Sequence, residues 1–448
     1  MKEKQDKLKI LIAASEADPL AKAGGLGDVI GSLPLAFRRL GCQVSIVLPA
    51  YRQAMDRIGK RKLLKENLPV RLGKQKISAD ILEGELALKI PVYLIRRDEF
   101  FDRSELYGNS KGEYFDNLER FIFFSRTIPA MCSAIDLKPD IILGNDWQTG
   151  LVMALLHEGA LPRTAGVFAI HNIGYQGIVP TERIENIGLP DRYYRMDGME
   201  YYGRMNLLKA GIVYSQAVTT VSPTYAQEIQ TPDFGEGLDG LMRSVNKRLH
   251  GILNGVDYRI WDPEKDRLIA ANYSRKNLEG KTICKKDLLK EMGLPGRLLN
   301  RPLMGVITRL VDQKGCMLLA KAAKDLFNMD LGLIILGAGD DKYHDLFKRL
   351  QTHYPNVRAI GGLKDTIRDP NEYRRPGTGF KFDRFQASDL VEAIRRAVKT
   401  FWDAKDWNSM MIKAMAQDFS WRSSAKEYLA VFDQAIAARR NPSDVSSI

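Results

Sequence analysis

The first residues with a chemical signature form a glycine-rich loop that contains a lysine. Residues 22–28, Lys-Ala-Gly-Gly-Leu-Gly-Asp, follow the apolar run Ile10–Ala14 and precede a helical pattern that ends at Gly41. Glycines let a ligand approach backbone N–H groups at a helix N-terminus, and a lysine adds a positive charge suited to a diphosphate. The order of strand, loop and helix therefore predicts a phosphate site. A plain tight turn explains the same glycines equally well, and Asp28 is equally compatible with capping its helix.

A second loop with positive charge follows a later strand. The apolar run Leu303–Thr308 leads into Arg-Leu-Val-Asp-Gln-Lys-Gly, which places Arg309 and Lys314 ahead of another helical pattern. The next apolar run, Leu331–Leu336, ends in Gly-Ala-Gly-Asp, with Gly339 as its second glycine. A strand, a basic or glycine-rich loop and a helix thus occur twice, which predicts two nucleotide-type domains facing a cleft. A solvated basic turn is the alternative for the two cations.

Polar side chains also follow several other predicted strands. Because ligands of parallel sheets bind beyond the carboxyl ends of the strands, these residues are candidates for a site. Each has a structural alternative: Asp146 as a helix N-cap, His171 as a hydrogen-bonded core residue, and Ser222 as an N-cap followed by Pro223. For Ser222 the structural interpretation is the favoured one. The residues in question are Asp146, His171, Ser222 and Asn254.

The elements that position these residues alternate between β-prone and helical patterns. This alternation predicts an α/β fold with mainly parallel, doubly wound sheets. The second domain has only three candidate strands, the third of them at Val357–Ile360, which is few for such a sheet. We predict a first domain at 1–254, a second at 255–422, and a last helix returning to the first domain with a frayed tail at 423–448. The predicted strands of the first domain are Ile10–Ala14, Val44–Leu48, Pro91–Ile95, Ile141–Leu143, Val167–Ile170, Val218–Val221 and Gly251–Leu253.

The composition limits the kinds of partner. The chain has 448 residues, 45% of them hydrophobic and 27% charged, and its net charge of +12 favours anionic ligands. It contains no nucleic-acid-binding motif and no stretch of transmembrane length, so neither nucleic acid nor a membrane is an expected partner. The four cysteines lie far apart without a C-x-x-C pair, which favours free thiols and a cytosolic location.

Taken together, the motifs resemble those of one family. The loop at 22–28 is similar to the Lys-Thr-Gly-Gly-Leu signature of the bacterial glycogen synthases and plant starch synthases, and further motifs match in the family's order over nearly the whole chain. These motifs are Asn145–Trp147, His171–Gly177, Val221–Tyr225, Leu253–Asp257, Arg309–Gly315, Leu336–Asp340 and Asp418–Trp421.

The resemblance implies a GT-B fold, in which two Rossmann-like domains face a cleft that holds the active site. It implies a retaining glucosyltransferase that moves glucose from ADP-glucose, or UDP-glucose in some members, to the non-reducing end of an α-1,4-glucan. No metal and no other cofactor is implied. Side chains and backbone dipoles would then have to neutralise the leaving diphosphate.

The resemblance also assigns roles. Arg309 and Lys314 would hold the diphosphate and stabilise charge as the glycosidic bond breaks, while Asp146 and His171 would line the glucosyl and acceptor side. Lys22 would reach the same nucleotide from the opposite domain, and Gly25 would let the backbone approach the donor. The expected donor-binding residues are Lys22, Gly24, Gly25, Asn254 and Gly339.

The chain departs from the family's pattern in two places. Leu143–Gln148 stands where the family has His-Ala-His-Asp-Trp-His, so the aspartate remains without its histidines. After Val357 the chain passes directly to Gly-Gly-Leu and lacks a stretch that in the family carries a strand, helices and a glutamate contacting the donor sugar. Losing such an electrostatic contact commonly costs about a hundred- to a thousandfold in rate. We therefore expect an internally truncated second domain and impaired activity, with a non-catalytic glucan-binding or scaffold protein as the alternative.

Overall fold

The structure is a computed structural model that describes residues 7–109, 112–337, 339–359, 378–382 and 384–440. The predicted frayed tail and the Gly-Gly-Leu segment after the predicted junction lie outside these residues. The chain divides into two compact units. The first comprises Met1–Asp257 and Phe419–Ile448, and the second is Tyr258–Asp418. The domain limits predicted at 254 and 422 thus lie within a few residues of the changes from one unit to the other.

The first unit is built on a nine-stranded sheet. Its order is β14-β13-β9-β8-β1-β2-β5-β4-β3, and all neighbouring strands are parallel except that β4 is antiparallel to both β5 and β3. The predicted α/β class with mainly parallel strands is therefore confirmed. The strands of the unit are β1 (Lys9–Ala13), β2 (Gln43–Pro49), β3 (Lys62–Leu72), β4 (Gln75–Leu86), β5 (Ile90–Arg96), β6 (Gly108–Asn109), β7 (Gly112–Glu113), β8 (Ile141–Asn145), β9 (Ala165–Ile170), β10 (Ile178–Val179), β11 (Glu200–Tyr201), β12 (Arg204–Asn206), β13 (Ala217–Thr220) and β14 (Leu249–Gly251).

Helices cover the faces of the sheets in both units. The helices are α1 (Gly25–Arg39), α2 (Arg52–Arg57), α3 (Asp98–Phe101), α4 (Asn117–Ala134), α5 (Trp147–His157), α6 (Leu207–Tyr214), α7 (Pro223–Glu228), α8 (Asp239–Ser244), α9 (Glu279–Glu291), α10 (Cys316–Phe327), α11 (Asp341–His353), α12 (Ala387–Phe401), α13 (Ala404–Met415) and α14 (Trp421–Arg440). Within the described residues, every helix falls short of the length or apolar character that crossing a membrane requires.

Two elements of the first sheet differ from the sequence-based expectation. The long hairpin of β3 and β4 was not predicted, because β3 exposes most of its residues and its charged side chains hide the alternation that marks a strand. The strand predicted at Gly251–Leu253 is β14, which ends at Gly251. Beyond it the Ile252 amide still donates to the Thr220 carbonyl, while the Leu253 carbonyl accepts from the Ser424 hydroxyl on α14.

The last helix belongs to the first unit. The Phe37 ring of α1 lies 6.0 Å from the ring of Tyr428 and 5.5 Å from that of Phe432, both on α14. At the start of this helix the Val256 amide donates to the Phe419 carbonyl over 2.6 Å. A Cβ at Gly255 would come within 2.6 Å of Trp421, so only glycine permits this approach. The motifs around 254 and 421 therefore serve to seat α14.

The second unit has a small parallel sheet. Within the described residues its strands are β15 (Leu303–Ile307), β16 (Gly332–Leu336) and β17 (Val357–Ala359), in the order β15-β16-β17. Leu326 of α10 and Val391 of α12 form one apolar cluster with Leu333 of β16. The side chains of Leu289 and Leu298 form a separate cluster that includes Leu303. The sheet therefore has apolar packing partners in α9, α10 and α12.

The contact between α1 and α14 predicts a large loss of stability when it is removed. Phe432 is fully buried, and we expect Phe432→Ala to lower the free energy of unfolding by about 3–5 kcal/mol because it leaves a cavity. Phe115→Ala is the matched control: its ring is 84% exposed, so we expect a change within about 0.5 kcal/mol. Urea denaturation followed by circular dichroism measures both, and equal effects would contradict the packing described here.

Candidate functional site

The glycine loop before α1 is held by a buried carboxylate. Glu16 Oε2 accepts hydrogen bonds from the amides of Ala23 and Gly24, each over 2.8 Å. Glu16 Oε1 accepts from the Tyr107 hydroxyl over 2.9 Å, and that hydroxyl is also 2.7 Å from Ser15 Oγ. Sequence patterns do not reveal this network, because Tyr107 lies about ninety positions from Glu16. A side chain of the protein thus already engages the Gly24 amide.

Lys22 carries an ion pair at the edge of the same loop. Its Nζ lies 2.5 Å from Asp28 Oδ1, and this hydrogen bond raises the pKa of Lys22. Gly24 occupies the N-cap position of α1, and no side chain caps the helix, so Asp28 does not act as its cap. Both charged side chains are substantially exposed, and exposed pairs of this kind contribute little stability. An anionic ligand can therefore replace Asp28 as the partner of Lys22 at small cost.

Asp146 adopts a strained backbone conformation directly after β8. Its φ of 54° and ψ of −179° lie in a region that is otherwise nearly restricted to glycine and costs about 1–3 kcal/mol. Its Oδ1 accepts from the His171 amide over 2.8 Å and approaches the Asn172 amide at 3.4 Å. Burial raises the pKa of Asp146. Asp146 occupies the N-cap position of α5, as the structural alternative predicted, but its carboxylate makes no capping hydrogen bond to this helix.

The ring of His171 is oriented by Asn145. The Asn145 Nδ2 group donates to the carbonyls of Ala13 (3.0 Å) and Leu143 (3.1 Å), which leaves its Oδ1 to face His171 Nε2 at 2.9 Å. Assigned from this network, the proton of a neutral His171 lies on Nε2, and Nδ1 is an acceptor. Asn145 stands where the family pattern has a histidine. Asn145 takes part in the site by orienting the ring of His171, which follows the neighbouring strand β9.

The loop after His171 depends on a glycine and a tyrosine. Gly177 has a φ of +61°, and a Cβ there would lie 2.2 Å from the Trp147 ring. The Tyr225 hydroxyl accepts from the Ile173 amide over 3.1 Å. Ser222 caps α7 by accepting from the Tyr225 amide over 2.9 Å, with proline at the next position, so the structural interpretation of Ser222 is confirmed.

In the second unit, the two predicted cations are exposed and unpaired. Neither the Arg309 guanidinium nor the Lys314 ammonium has a hydrogen bond or ion pair with another described residue. The carboxylate between them, Asp312, accepts from Lys342 Nζ over 2.7 Å and from the Tyr343 hydroxyl. The hydrogen bonds from Lys342 and Tyr343 lower the pKa of Asp312. The carboxylate of Asp312 is therefore paired with side chains of α11, while the charged groups of Arg309 and Lys314 remain available to a ligand.

Glycines bring the loops after β15 and β16 into contact. A Cβ at Gly339 would lie 2.3 Å from the Leu310 carbonyl oxygen, and one at Gly337 would lie 2.1 Å from that of Thr308. The Asp340 amide donates to the Leu310 carbonyl over 2.9 Å. Gly339 thus lies beside the loop that carries Arg309 and not in a separate part of the sheet.

The predicted site residues fall into two groups. Those of the first unit follow neighbouring parallel strands, and within it Asp146 and His171 are in direct contact. In the second unit, the loop that carries both cations touches the loop that carries Gly339. Among the described residues, no group of three or more His, Cys, Asp or Glu side chains is placed to hold a metal ion. The first unit contains Lys22, Gly24, Gly25, Asp146, His171 and Asn254, and the second contains Arg309, Lys314 and Gly339.

Comparisons with known proteins agree with this arrangement. A family model described as the starch synthase catalytic domain matches residues 9–244. The glycogen synthase of Desulfatibacillum aliphaticivorans is 40% identical over 97% of this chain and 100% of its own length, and that of Syntrophotalea carbinolica is 37% identical over 96% and 99%. The catalytic domain of starch synthase IV from Arabidopsis thaliana, solved with ADP and acarbose, superimposes with a TM-score of 0.84 at 29% identity, covering 96% of this chain and all of that one.

Two α/β units with parallel sheets and a set of ordered loop motifs define a glycosyltransferase of the GT-B class. A sucrose-phosphate synthase from Thermosynechococcus elongatus, 15% identical with a TM-score of 0.56, shares the fold alone. The matches over nearly the full length are more specific. The chain belongs to the glycogen synthase and starch synthase family.

The alignments also bear on the expected truncation. The alignment with the Desulfatibacillum protein runs over 482 positions, more than the 448 residues of this chain, and it takes in the whole of the relative. An alignment longer than the chain must contain positions that the chain leaves empty. The relative therefore has residues for which this chain has no counterpart.

Gly177 provides a test of the loop that follows His171. Gly177→Ala introduces both a strained φ and a clash with Trp147, whereas Gly203→Ala introduces the strained φ (+77°) alone, since nothing lies within 4 Å of its Cβ. We expect Gly177→Ala to lower the free energy of unfolding by about 1–3 kcal/mol more than the control does. Chemical denaturation measures the difference, and equal losses would show that the Trp147 contact is not a constraint.

Glu16 provides a test of the network around the glycine loop. Glu16→Gln keeps the size of the side chain and removes its charge and one acceptor, so we expect the free energy of unfolding to fall by about 1–3 kcal/mol. Glu66→Gln is the control, because Glu66 is exposed. Thermal and urea denaturation check the pair, and an unchanged Glu16→Gln protein would show that the two loop amides do not depend on the carboxylate.

Proposed function

We propose that the chain transfers glucose from ADP-glucose to the non-reducing end of an α-1,4-glucan with retention of the anomeric configuration. In this reaction the bond between glucose C1 and the β-phosphate oxygen breaks, and ADP leaves with the electron pair. A bond forms between C1 and O4 of the acceptor's terminal glucose, whose proton passes to a phosphate oxygen of ADP. Support comes from the relatives named glycogen synthase and from the starch synthase that was solved with ADP and acarbose.

The observation that carries the proposal is the pair of exposed, unpaired cations after β15. With Asp312 bound to Lys342 and Tyr343, Arg309 and Lys314 are left to receive a diphosphate. Arg309 can bind two phosphate oxygens at once, and Lys314 adds a point charge. We assign them to stabilise the negative charge that develops on ADP as the bond to C1 breaks. No metal or other cofactor is part of this proposal.

For the remaining donor-binding residues, the proposal follows the family resemblance. Lys22 exchanges its exposed partner Asp28 for a phosphate oxygen of the donor. Gly24 and Gly25 keep the start of α1 free of side chains that would obstruct the donor. Asn254 and Gly339 complete the set, since each lies in a loop that follows a parallel strand.

We assign the glucosyl and acceptor side to Asp146 and His171. Asp146 Oδ1 is held by backbone amides, whereas its Oδ2 has no partner among the described residues and can accept from a sugar hydroxyl. His171 offers Nδ1 as an acceptor, because Asn145 engages Nε2. Fixed orientations of both groups reduce the entropy lost when a sugar binds.

The experiment is a transfer assay with glycogen and radiolabelled ADP-glucose, with UDP-glucose in parallel and EDTA in a duplicate set. We expect label in glycogen that β-amylase releases, a preference for ADP-glucose, and no effect of EDTA. Turnover should be slow, because the family's donor-contacting glutamate has no counterpart in this chain. Binding of maltooligosaccharide without binding of ADP-glucose, measured by calorimetry, would support a glucan-binding protein instead.

The four unpaired cysteines suit a reducing compartment, and we propose the cytosol as the location.

Arg309 gives the sharpest mutational test of this function. We expect Arg309→Ala to lower the rate of transfer by about a hundred- to a thousandfold, because it removes charge stabilisation from the leaving group. Its affinity for ADP should fall as well, which calorimetry detects even when turnover is slow. Lys348→Ala removes an exposed cation from α11 and should leave both quantities unchanged. Equal behaviour of the two variants would show that Arg309 does not contact the diphosphate.

A further inference from the structure

A small cavity lies at the end of the first unit's sheet that is opposite to the candidate site. It encloses about 250 Å³ beside the first residues of three neighbouring parallel strands, β1, β2 and β5. The candidate site residues of this unit lie in loops beyond the carboxyl ends of the strands, so the cavity is separate from them. All of its lining residues belong to the part of the chain that the structure describes.

Three positively charged side chains line this cavity, which we name the basic cavity. Lys9 is the first residue of β1, Arg38 lies in the last turn of α1, and Lys89 directly precedes β5. None of the three charged groups has a hydrogen bond or an ion pair with another described residue. None of the residues that line the cavity carries a carboxylate. The lining is therefore positively charged, which favours an anion.

Two buried hydroxyl groups belong to the same lining. The side chains of Ser45 and Tyr93 are only 8% and 7% exposed, and neither hydroxyl has a hydrogen-bond partner among the described residues. A buried polar group without a partner is destabilising, so both hydroxyls are groups that a ligand would satisfy. Burial raises the pKa of Tyr93 to about 12, so its hydroxyl is a proton donor at neutral pH.

The strand register places these groups on one face of the sheet. Lys9 of β1 is paired with Gln43 of β2, and Val47 of β2 is paired with Tyr93 of β5. Because alternate residues of a strand share a face, Lys9, Gln43, Ser45 and Tyr93 lie on the same face. Their backbone positions are fixed by the sheet and do not depend on a loop.

Two carboxylates occur near these residues without lining the cavity. Glu83 of β4 is paired with Tyr93 in the sheet, and its charge adds to the rise in the pKa of Tyr93. Asp140 Oδ2 accepts a hydrogen bond from the backbone amide of Lys9 over 2.8 Å. The carboxylate of Asp140 is thus engaged by the main chain, and the ammonium group of Lys9 stays available.

We propose that the basic cavity binds a small phosphate monoester through its phosphoryl group. At neutral pH this group carries nearly two negative charges and three acceptor oxygens, which match the cations and the buried hydroxyls. Pro91, Leu137 and Pro139 supply apolar surface for the organic part. The cavity is smaller than the range of about 300–1,000 Å³ that is usual for drug-sized ligands, so this part is small. The inference does not depend on the proposed transfer reaction.

Calorimetry with glycerol 3-phosphate tests the proposal on the full chain. The titration uses the Arg309→Ala variant, because the loss of Arg309 weakens the proposed diphosphate site in the second unit. We expect one molecule to bind per chain, inorganic phosphate to bind more weakly, and glycerol to give no binding. The absence of binding up to about 10 mM, ten times a millimolar Kd, would overturn the proposal. Equally tight binding of inorganic phosphate would show that the organic part makes no contact and would overturn the assignment to a monoester.

Arg38 and Arg39 form a matched pair for locating the ligand. Both are exposed residues in the last turn of α1, and of the two only Arg38 lines the cavity. Arg38→Ala should weaken the binding of glycerol 3-phosphate by about tenfold or more, because it removes a charged donor. Arg39→Ala changes the net charge equally and should leave the affinity unchanged. Equal losses would show that the ligand responds to the overall charge, which would contradict a site at the cavity.

Tyr93→Phe tests the buried hydroxyl. The substitution removes only an unpaired polar group, so we expect no loss in the free energy of unfolding measured with urea. Affinity for glycerol 3-phosphate should nevertheless fall by about tenfold, because a hydrogen bond to a charged group is lost. Unchanged affinity in the folded variant would show that the ligand does not reach Tyr93 and would overturn its placement in the cavity. Should the variant unfold, Lys89→Ala, which alters an exposed side chain, should give the same loss of affinity.

Discussion

Buried carboxylates that accept hydrogen bonds from backbone amides hold the candidate site of the first unit together. Glu16, which follows β1, accepts hydrogen bonds from the amides of Ala23 and Gly24. Asp146, which follows β8, accepts one from the amide of His171. The two strands are parallel neighbours in the sheet, so both carboxylates lie beyond the carboxyl ends of the strands, on the same side of the sheet. Hydrogen bonds to charged groups contribute more than neutral ones, and here they fix loops that no regular element supports. The strain at Asp146 persists because these bonds over-determine its position.

The second unit uses a different means of fixing its loops. Backbone contacts at Gly337 and Gly339, where no side chain fits, join the loops after β15 and β16. The carboxylate in this region, Asp312, is bound to Lys342 and Tyr343. The consequence is electrostatic: the first unit satisfies its carboxylates with its own amides, and the second leaves the side chains of Arg309 and Lys314 without partners among the described residues. A loop whose carboxylate is paired and whose cations are not is suited to an anionic ligand.

The two units differ in how their apolar residues pack. The core of the first unit is one continuous cluster that includes α14, whereas the part of the second unit that the structure describes has three smaller clusters. The three strands that the described residues of the second unit form account for this difference, since a sheet with few strands has little apolar surface for its helices to cover.

The sequence by itself determined the features that depend on local chemistry. Alternating apolar runs and helical patterns located most parallel strands and the last helix, and Ser222 before Pro223 predicted a helix cap. The ordered motifs identified the family, because each is a short stretch whose residue types can be read without knowing the fold. The hairpin of β3 and β4 was missed, since the largely exposed first half of β3 shows no alternation and the buried–exposed alternation begins only at Leu68.

Only the tertiary structure decided which distant residues meet. Tyr107 reaches Glu16 and Asn145 orients His171 through contacts between residues that no periodicity connects. The cavity lined by Leu288 of α9 and Phe401 of α12 could not be predicted either, because these two helices are far apart in the chain. Local patterns record whether a residue is buried, whereas the identity of its partner depends on how the strands are ordered in the sheet. That order is fixed by the packing of the whole unit, which is why these contacts appear only in the folded chain.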